Sequence, residues 1–110
     1  MVAGAAEGQL LTQISETVKK VNETIVPDIE SYERRVKEFV RHPQEAKEQK
    51  KLGDYGTYLS EQLMQLLFDF DGIMCGPEFE QARRQRKEGV RQCQALLDKV
   101  DSIKALIKTA

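Results

Sequence analysis

Apolar residues recur every three or four positions through most of the chain, which is the spacing of one face of an α-helix. The first series is Leu11, Ile14, Val18, Val21, Ile25, Ile29, Tyr32, Val36 and Phe39. Pro27 lies within it, and because proline has no amide hydrogen and its ring crowds the preceding turn, it disturbs a regular helix. We therefore expect one long first helix that kinks or changes register at Pro27 and ends at the Arg-His-Pro sequence of residues 41–43.

Two further apolar series follow, separated by a break at residues 72–77. The second is Leu52, Tyr55, Leu59, Leu63, Leu66, Leu67 and Phe70; the third is Phe79, Ala82, Val90, Cys93, Leu97, Val100, Ile103 and Ile107. Gly53 and Gly56 weaken the second helix by about 1 kcal/mol each relative to alanine. Pro77 suits the first turn of the third helix, where its missing amide is not needed. The pattern predicts an all-α fold, an antiparallel three-helix bundle of long amphipathic helices, and no strand pattern competes with it.

The composition fits one helical domain. Of the 110 residues, 32% are charged and 6% aromatic, with no tryptophan, which favours solvated helices over a β-sandwich. Residues 1–8 are small and show no periodicity, so we expect them to be disordered and residues 9–110 to form the domain. No apolar run approaches the roughly 20 residues of a membrane span. Cys75 and Cys93 favour a reduced intracellular setting over a disulfide, so we expect a cytoplasmic protein, with the nucleus as an alternative.

The residue types needed for catalysis do not occur together in the sequence. His42 is the single histidine and has no partner at the spacing of metal ligands. There is no nucleophile with a neighbouring base and no glycine-rich phosphate loop. We predict a protein that is not an enzyme and that uses neither metal nor cofactor.

Positive charge is concentrated in RRQRKEGVRQCQ, residues 83–94, although the whole chain has a formal net charge of −1. At 100° per residue, Arg86 falls within the apolar stripe of the third helix. Three more polar residues lie roughly 60° to 100° from Arg86, at the edge of that stripe: Arg83, Lys87 and Gln94. These positions border the groove shared with a neighbouring helix, whereas Arg84 and Arg91 lie further round, near 150°, and are typical solvated charges.

The second helix carries a short polar and apolar stripe opposite its predicted core. Its members are Glu61, Met64, Phe68 and Asp71, all within about 80° of one another. Two apolar residues bracketed by carboxylates indicate an interface, although Met64 and Phe68 could instead cover the loop or the first helix. Helical rise places Glu61 roughly 15 Å before Asp71, and Arg86 roughly 14 Å after Pro77. In an antiparallel pair of helices Glu61 and Arg86 therefore come to similar heights, and Glu61, Asp71, Arg86, Lys87 and Gln94 can share one face.

The segment from Glu61 to Asp101 resembles the BAG domain, the co-chaperone module that binds heat-shock chaperones of the 70-kDa class. The similar sequences are EQLMQLLFDFDGI and EFEQARRQRKEGVRQCQALLDKVDSIKALI. From Glu61 the spacing is ten residues to Asp71, then fifteen to Arg86, then eight to Gln94, and these positions match the family's contact set. Arg83 and Lys87 match basic positions there.

This resemblance implies a nucleotide-exchange factor. BAG domains lay their second and third helices on the ATPase domain of the chaperone and hold its nucleotide cleft open, so that ADP leaves. By the same resemblance, Glu61 and Asp71 would accept hydrogen bonds from basic groups of the chaperone. Arg83, Arg86 and Lys87 would pair with its carboxylates, and Gln94 would add a neutral hydrogen bond.

Three alternatives stay open beside this interpretation. One is a structural helical or coiled-coil interaction module without exchange activity, although three prolines interrupt long heptads. Another is a solvated basic face with no partner. Nucleic-acid binding is a third, but it would need aromatic residues among the cations, and Phe79 is the one aromatic after Phe70. We expect a monomer, with a dimer that exchanges one helix between chains as the alternative.

Overall fold

Three long helices build the structure, a computed structural model that describes residues 2–42 and 45–108. The first consists of helix α1 (Val2–Lys20), a π-helical segment (Val21–Ile25) and helix α2 (Val26–Arg41). The second is helix α3 (Ala46–Asp71), and the third is helix α4 (Glu80–Lys108). The described residues contain no strand, so the prediction of an all-α three-helix bundle is confirmed.

The helices run up, down and up. Their directions follow from three hydrogen bonds between helices, which join Tyr32 to Leu52, Gln49 to Ile107 and Gln92 to Asn22. The result is an elongated molecule with principal extents of 62 × 19 × 16 Å. Helices α3 and α4 pack against each other along most of their length. Their shared outer surface is therefore long.

The π-helical segment lies directly before Pro27, where the sequence predicts a kink or a change of register. The amide of Val26 donates to the carbonyl oxygen of Val21, five residues earlier, so this turn holds one residue more than an α-helical turn. In a regular helix the ring of Pro27 would crowd the carbonyl group of Glu23. The wider turn lets the helix continue past the proline while Val21 and Ile25 stay buried. The predicted change of register is confirmed.

Of the two ends of the first long helix, the N-terminal end differs from what the sequence indicates and the C-terminal end agrees with it. Helix α1 begins at Val2, inside the segment 1–8 for which we expected disorder. Helix α2 ends at Arg41 with His42 as its C-cap, at the predicted turn, whereas Pro43 lies outside the described residues.

The core is one continuous apolar cluster along the bundle axis. The first long helix contributes Ile14, Val21, Ile25, Ile29, Tyr32, Val36 and Phe39; α3 contributes Leu52, Leu59, Leu63, Leu66 and Phe70; α4 contributes Ala82, Cys93, Val100, Ile103 and Ile107. All of these belong to the predicted series, and Ile73 from the α3–α4 loop completes the cluster. Apolar periodicity was thus sufficient to identify the buried face of each helix.

One buried polar contact ties α2 to α3. The hydroxyl of Tyr32, whose side chain is fully buried, donates to the carbonyl oxygen of Leu52 over 2.7 Å. Burial raises the pKa of Tyr32 to about 12, so the hydroxyl remains protonated and donates throughout the neutral range.

Two glycines allow the helices to approach closely. A Cβ atom at Gly56 would collide with the Tyr32 hydroxyl and would lie 2.6 Å from Cγ of Lys104. A Cβ atom at Gly89 of α4 would lie 2.5 Å from Cζ of Phe70. Gly53, in contrast, has nothing within 4 Å of its Cβ position. Of the two glycines in α3, Gly56 is therefore the one whose missing side chain is required by the close packing of neighbouring helices.

Candidate functional site

The outer surface of α3 carries the predicted stripe in full. Leu63 and Phe70 face the core and are completely buried, whereas Glu61 and Asp71 on the opposite side are exposed. Between these carboxylates, Met64 is 46% exposed and Phe68 is 62% exposed. The alternative that Met64 and Phe68 cover the loop or the first helix is therefore wrong.

The outer surface of α4 also follows the helical projection. Ala82, Cys93 and Val100 are fully buried. The predicted flank residues are exposed: Arg83, Lys87 and Gln94. Arg84 and Arg91 are exposed as well, so exposure alone does not separate them from the flank residues.

Arg86 is half-buried and makes a contact that the sequence did not indicate. Its Nη1 atom donates to the carbonyl oxygen of Ile73 in the α3–α4 loop, over 2.8 Å. The Ile73 side chain is itself buried, at 7% exposed, so the bond holds a loop that is also fixed by packing. A guanidinium has five N–H donors. One bond to the loop leaves further donors for a partner.

The two helices bring most of the predicted residues to one open groove near the loop. Asp71 borders this groove from α3, and Arg83, Arg86 and Lys87 border it from α4. Its remaining lining residues are Glu80, Val90 and Arg84, so Arg84 lies nearer this groove than its position on the helical projection indicates.

Glu61 and Gln94 lie further from the loop along the same two helices. The expectation that Glu61 and Arg86 come to similar heights is wrong, because α4 begins at Glu80 and not at Pro77, and Arg86 lies near the loop, bonded to Ile73. The register of α3 against α4 follows from Phe70 beside Gly89 and from the Lys104 Nζ bond to Thr57 Oγ1, 3.4 Å long. In this register Gln94 is about level with Met64, and Glu61 lies roughly one turn beyond it. We call the surface formed by Glu61, Met64, Phe68, Asp71, Arg83, Arg86, Lys87 and Gln94 the α3–α4 face.

The charges of the α3–α4 face have no ion-pair partner within the described part of the chain. The ion pairs found there join Arg35 to Glu48, Lys37 to Glu33 and Lys99 to Glu33, with a further contact of His42 to Glu38 that is an ion pair when the imidazole is protonated. All of them involve the first long helix, on other sides of the bundle. The α3–α4 face therefore presents charges of both signs that are available to another molecule.

The described residues contain no group of histidine, cysteine and carboxylate side chains able to hold a metal ion. Cys93 is fully buried, and burial raises the pKa of its thiol to about 11, so the thiolate needed for nucleophilic chemistry is scarce at neutral pH. Cys75 is half-buried, with its thiol 3.6 Å from the carbonyl oxygen of Ile73. Both cysteines are free thiols.

None of the described helices is both long and apolar enough to span a membrane.

A helical bundle whose outer face surrounds an apolar pair with uncommitted charges has the features of a protein-binding module. Residues 14–103 match the model of the BAG domain, and the chain belongs to the BAG-domain family. Members of this family are co-chaperones that bind the ATPase domains of 70-kDa heat-shock chaperones. The match includes the first long helix from Ile14 onward, outside the segment from Glu61 to Asp101 that carries the resemblance described above. No curated protein and no solved structure matches the chain.

Proposed function

We propose that this chain is a nucleotide-exchange factor that binds the ATPase domain of a 70-kDa heat-shock chaperone and promotes release of ADP and substrate. The observation that supports this proposal most directly is the α3–α4 face. It carries the six polar residues that the family resemblance assigns to the chaperone contact, and the five charged ones have no ion-pair partner within the described chain.

The two helices of the face would take different parts in binding. Glu61 and Asp71 would accept hydrogen bonds from basic groups of the ATPase domain. Arg83, Arg86 and Lys87 would pair with its carboxylates, and Gln94 would add a neutral hydrogen bond. Charge-assisted bonds of both signs set the register of two surfaces and exclude wrong partners, since a shifted register places like charges together.

Exchange would follow from selective binding and needs no chemistry on this chain. An ATPase domain whose cleft opens and closes is an equilibrium between two states. If the α3–α4 face binds the open state better, saturating binding multiplies the open-to-closed ratio by the ratio of the face's affinities for the two states. ADP then dissociates faster, provided that the open cleft holds it less tightly than the closed one.

The test is release of fluorescently labelled ADP from a purified ATPase domain, followed by stopped flow with and without saturating BAG-domain protein. We expect faster release, and by linkage we expect ADP to weaken binding of this chain by the same factor by which the chain weakens binding of ADP. Binding with unchanged ADP release would overturn the exchange mechanism and favour the alternative of a helical interaction module. Absence of binding would overturn the chaperone contact itself.

A further inference from the structure

Large apolar side chains are exposed at a few places in the described chain, and two of them are neighbours on one helix face. The exposed set is Val40, Tyr58, Met64, Phe68, Met74 and Leu106. Met64 and Phe68 are four residues apart on α3 and belong to the same stripe. At 62% exposed, Phe68 contributes little to the core, so the fold does not explain a phenylalanine at this position.

The pair lies in the middle of the α3–α4 face. Along α3 the steps from Glu61 to Met64, Phe68 and Asp71 are three, four and three residues, so the stripe runs nearly parallel to the helix axis. Across the groove, the register places Phe68 about level with the half-buried Val90. Apolar side chains thus occupy the centre of the face, and charged side chains occupy both ends.

This arrangement resembles the usual anatomy of an interface, in which a desolvated apolar centre is surrounded by a polar rim. Exposed charge pairs at a rim contribute little each, about 1 kcal/mol or less. Aromatic residues near the centre, enclosed by contacts that exclude water, carry a much larger share of the binding energy.

We infer that Phe68, with Met64 beside it, is the apolar anchor of this face, and that the ATPase domain receives it in an apolar recess between two basic groups. The inference rests on the proposed function. The two basic groups are the ones that meet Glu61 and Asp71. Helical rise places these two carboxylates roughly 15 Å apart. The recess lies nearer to the group that meets Asp71, because Phe68 is three residues from Asp71 and seven from Glu61.

A second copy of this chain is a less suitable occupant, for a reason of charge. If two α3 stripes met in an antiparallel arrangement, Glu61 of one copy would face Asp71 of the other. In a parallel arrangement, each carboxylate would face its own equivalent. In both arrangements like charges would lie next to each other beside the apolar contact between the two copies, which is unfavourable.

The experiment compares Phe68→Ala and Met64→Ala with Val40→Ala as the matched control. Val40 is 37% exposed on α2, away from the α3–α4 face. Each variant is titrated against the purified ATPase domain by calorimetry, and its melting temperature is compared with that of the wild type. We expect Phe68→Ala to weaken binding about 10-fold or more and Met64→Ala by a smaller factor, whereas Val40→Ala stays within about 2-fold.

Salt concentration separates an apolar anchor from a charge contact. The loss caused by Phe68→Ala should persist at high salt, whereas the loss caused by Arg83→Ala should shrink, because salt screens exposed charges. Phe68→Ala should also reduce the negative heat-capacity change of binding, which is a measure of buried apolar surface.

The outcomes of these experiments separate failure of the Phe68 anchor from failure of the proposed function. If the wild type binds and Phe68→Ala binds equally well, the anchor is overturned and the proposed function stands. If the wild type does not bind the ATPase domain, both are overturned. If the wild type self-associates and Phe68→Ala abolishes that association without affecting chaperone binding, the occupant is a second copy and the inference is wrong.

Discussion

At the scale of single residues, Arg86 differs from the other cations of α4. It is half-buried, and one of its N–H groups is bonded to the carbonyl oxygen of Ile73. The other four cations of residues 83–94 are exposed and have no such bond within the described chain: Arg83, Arg84, Lys87 and Arg91. A side chain whose guanidinium group is already held by a bond to the loop loses less conformational entropy when it binds a carboxylate, so Arg86 is better prepared for a specific contact than its neighbours.

We therefore predict unequal effects of removing single arginines. Arg86→Ala should weaken binding to the ATPase domain by about 2–4 kcal/mol, because a chaperone carboxylate would be left partly desolvated and unpaired. Arg84→Ala and Arg91→Ala should each cost less than about 1 kcal/mol, as exposed charges do. Calorimetry of the single variants measures these differences. Equal losses at all three positions would contradict the assignment of the α3–α4 face.

The bond to Ile73 requires a control in that experiment, since Arg86→Ala could also loosen the loop. Hydrogen bonds to charged groups contribute about 1.5–3 kcal/mol, so a lower melting temperature is expected for this variant. Gln94→Ala provides the comparison: Gln94 is exposed, and its side chain has no hydrogen bond within the described chain. A binding loss at Gln94→Ala with unchanged stability would show that the face itself contacts the chaperone.

The sequence predicted which residues are exposed on α3 and α4 but not this contact of Arg86. A helical projection orders residues around one helix and contains no information about a loop that folds back against it. The carbonyl group of Ile73 is a backbone acceptor that every residue type offers, so no residue pattern could have indicated it. Exposure of Phe68 was also left open, because an apolar residue opposite the core can cover a loop or remain in solvent.

At the scale of helices, periodicity predicted the buried stripes and the change of register at Pro27, and it failed at the start of α1. The segment AGAAEG has no apolar repeat, yet α1 already begins at Val2. Periodicity reports which face of a helix is buried, whereas the tendency to form a helix depends on residue type. Alanine is the most favourable residue for helix formation, so a helix can extend beyond the last residue that reaches the core.

Helix α3 offers a test of the close approach at Gly56, with Gly53 as its matched control. Gly53→Ala should stabilise the protein by about 0.5–1 kcal/mol, because alanine restricts the unfolded chain and its Cβ meets nothing within 4 Å. Gly56→Ala should instead destabilise by about 1–3 kcal/mol, because its Cβ would collide with the Tyr32 hydroxyl and crowd Lys104. Urea denaturation of both variants measures whether each substitution raises or lowers the free energy of unfolding.

The double variant Tyr32→Phe/Gly56→Ala identifies the cause. Tyr32→Phe alone should cost about 1 kcal/mol through loss of the 2.7 Å bond to Leu52. If the hydroxyl is what opposes a methyl group at residue 56, the double variant should be more stable than the sum of the single effects allows. Stabilisation by Gly56→Ala alone, equal to that of Gly53→Ala, would disprove the close approach.

At the scale of the whole molecule, the elongated shape determines where the α3–α4 face lies. The bundle is 62 Å long, and the segment from Glu61 to Asp71 occupies the part of α3 nearest the α3–α4 loop. Fixing this loop therefore also fixes the relative heights of the carboxylates on α3 and the cations on α4. The buried Ile73 and its bond to Arg86 do this within one chain.

The same loop leads to a prediction about oligomeric state. Exchange of α4 between two chains would require the loop to open, which exposes Ile73 and breaks the bond from Arg86 to its carbonyl oxygen. We therefore predict a monomer of 12.6 kDa whose mass in light scattering does not change with concentration. Small-angle X-ray scattering should give a radius of gyration close to 17.5 Å, well above the roughly 13 Å of a rounded domain of this length.

A helix-exchanged dimer would retain the same helical core and the same far-ultraviolet spectrum, so doubling of the mass at high concentration is the result that would contradict this prediction. Arg86→Ala, which removes one restraint on the loop, is the variant in which such a dimer should appear first.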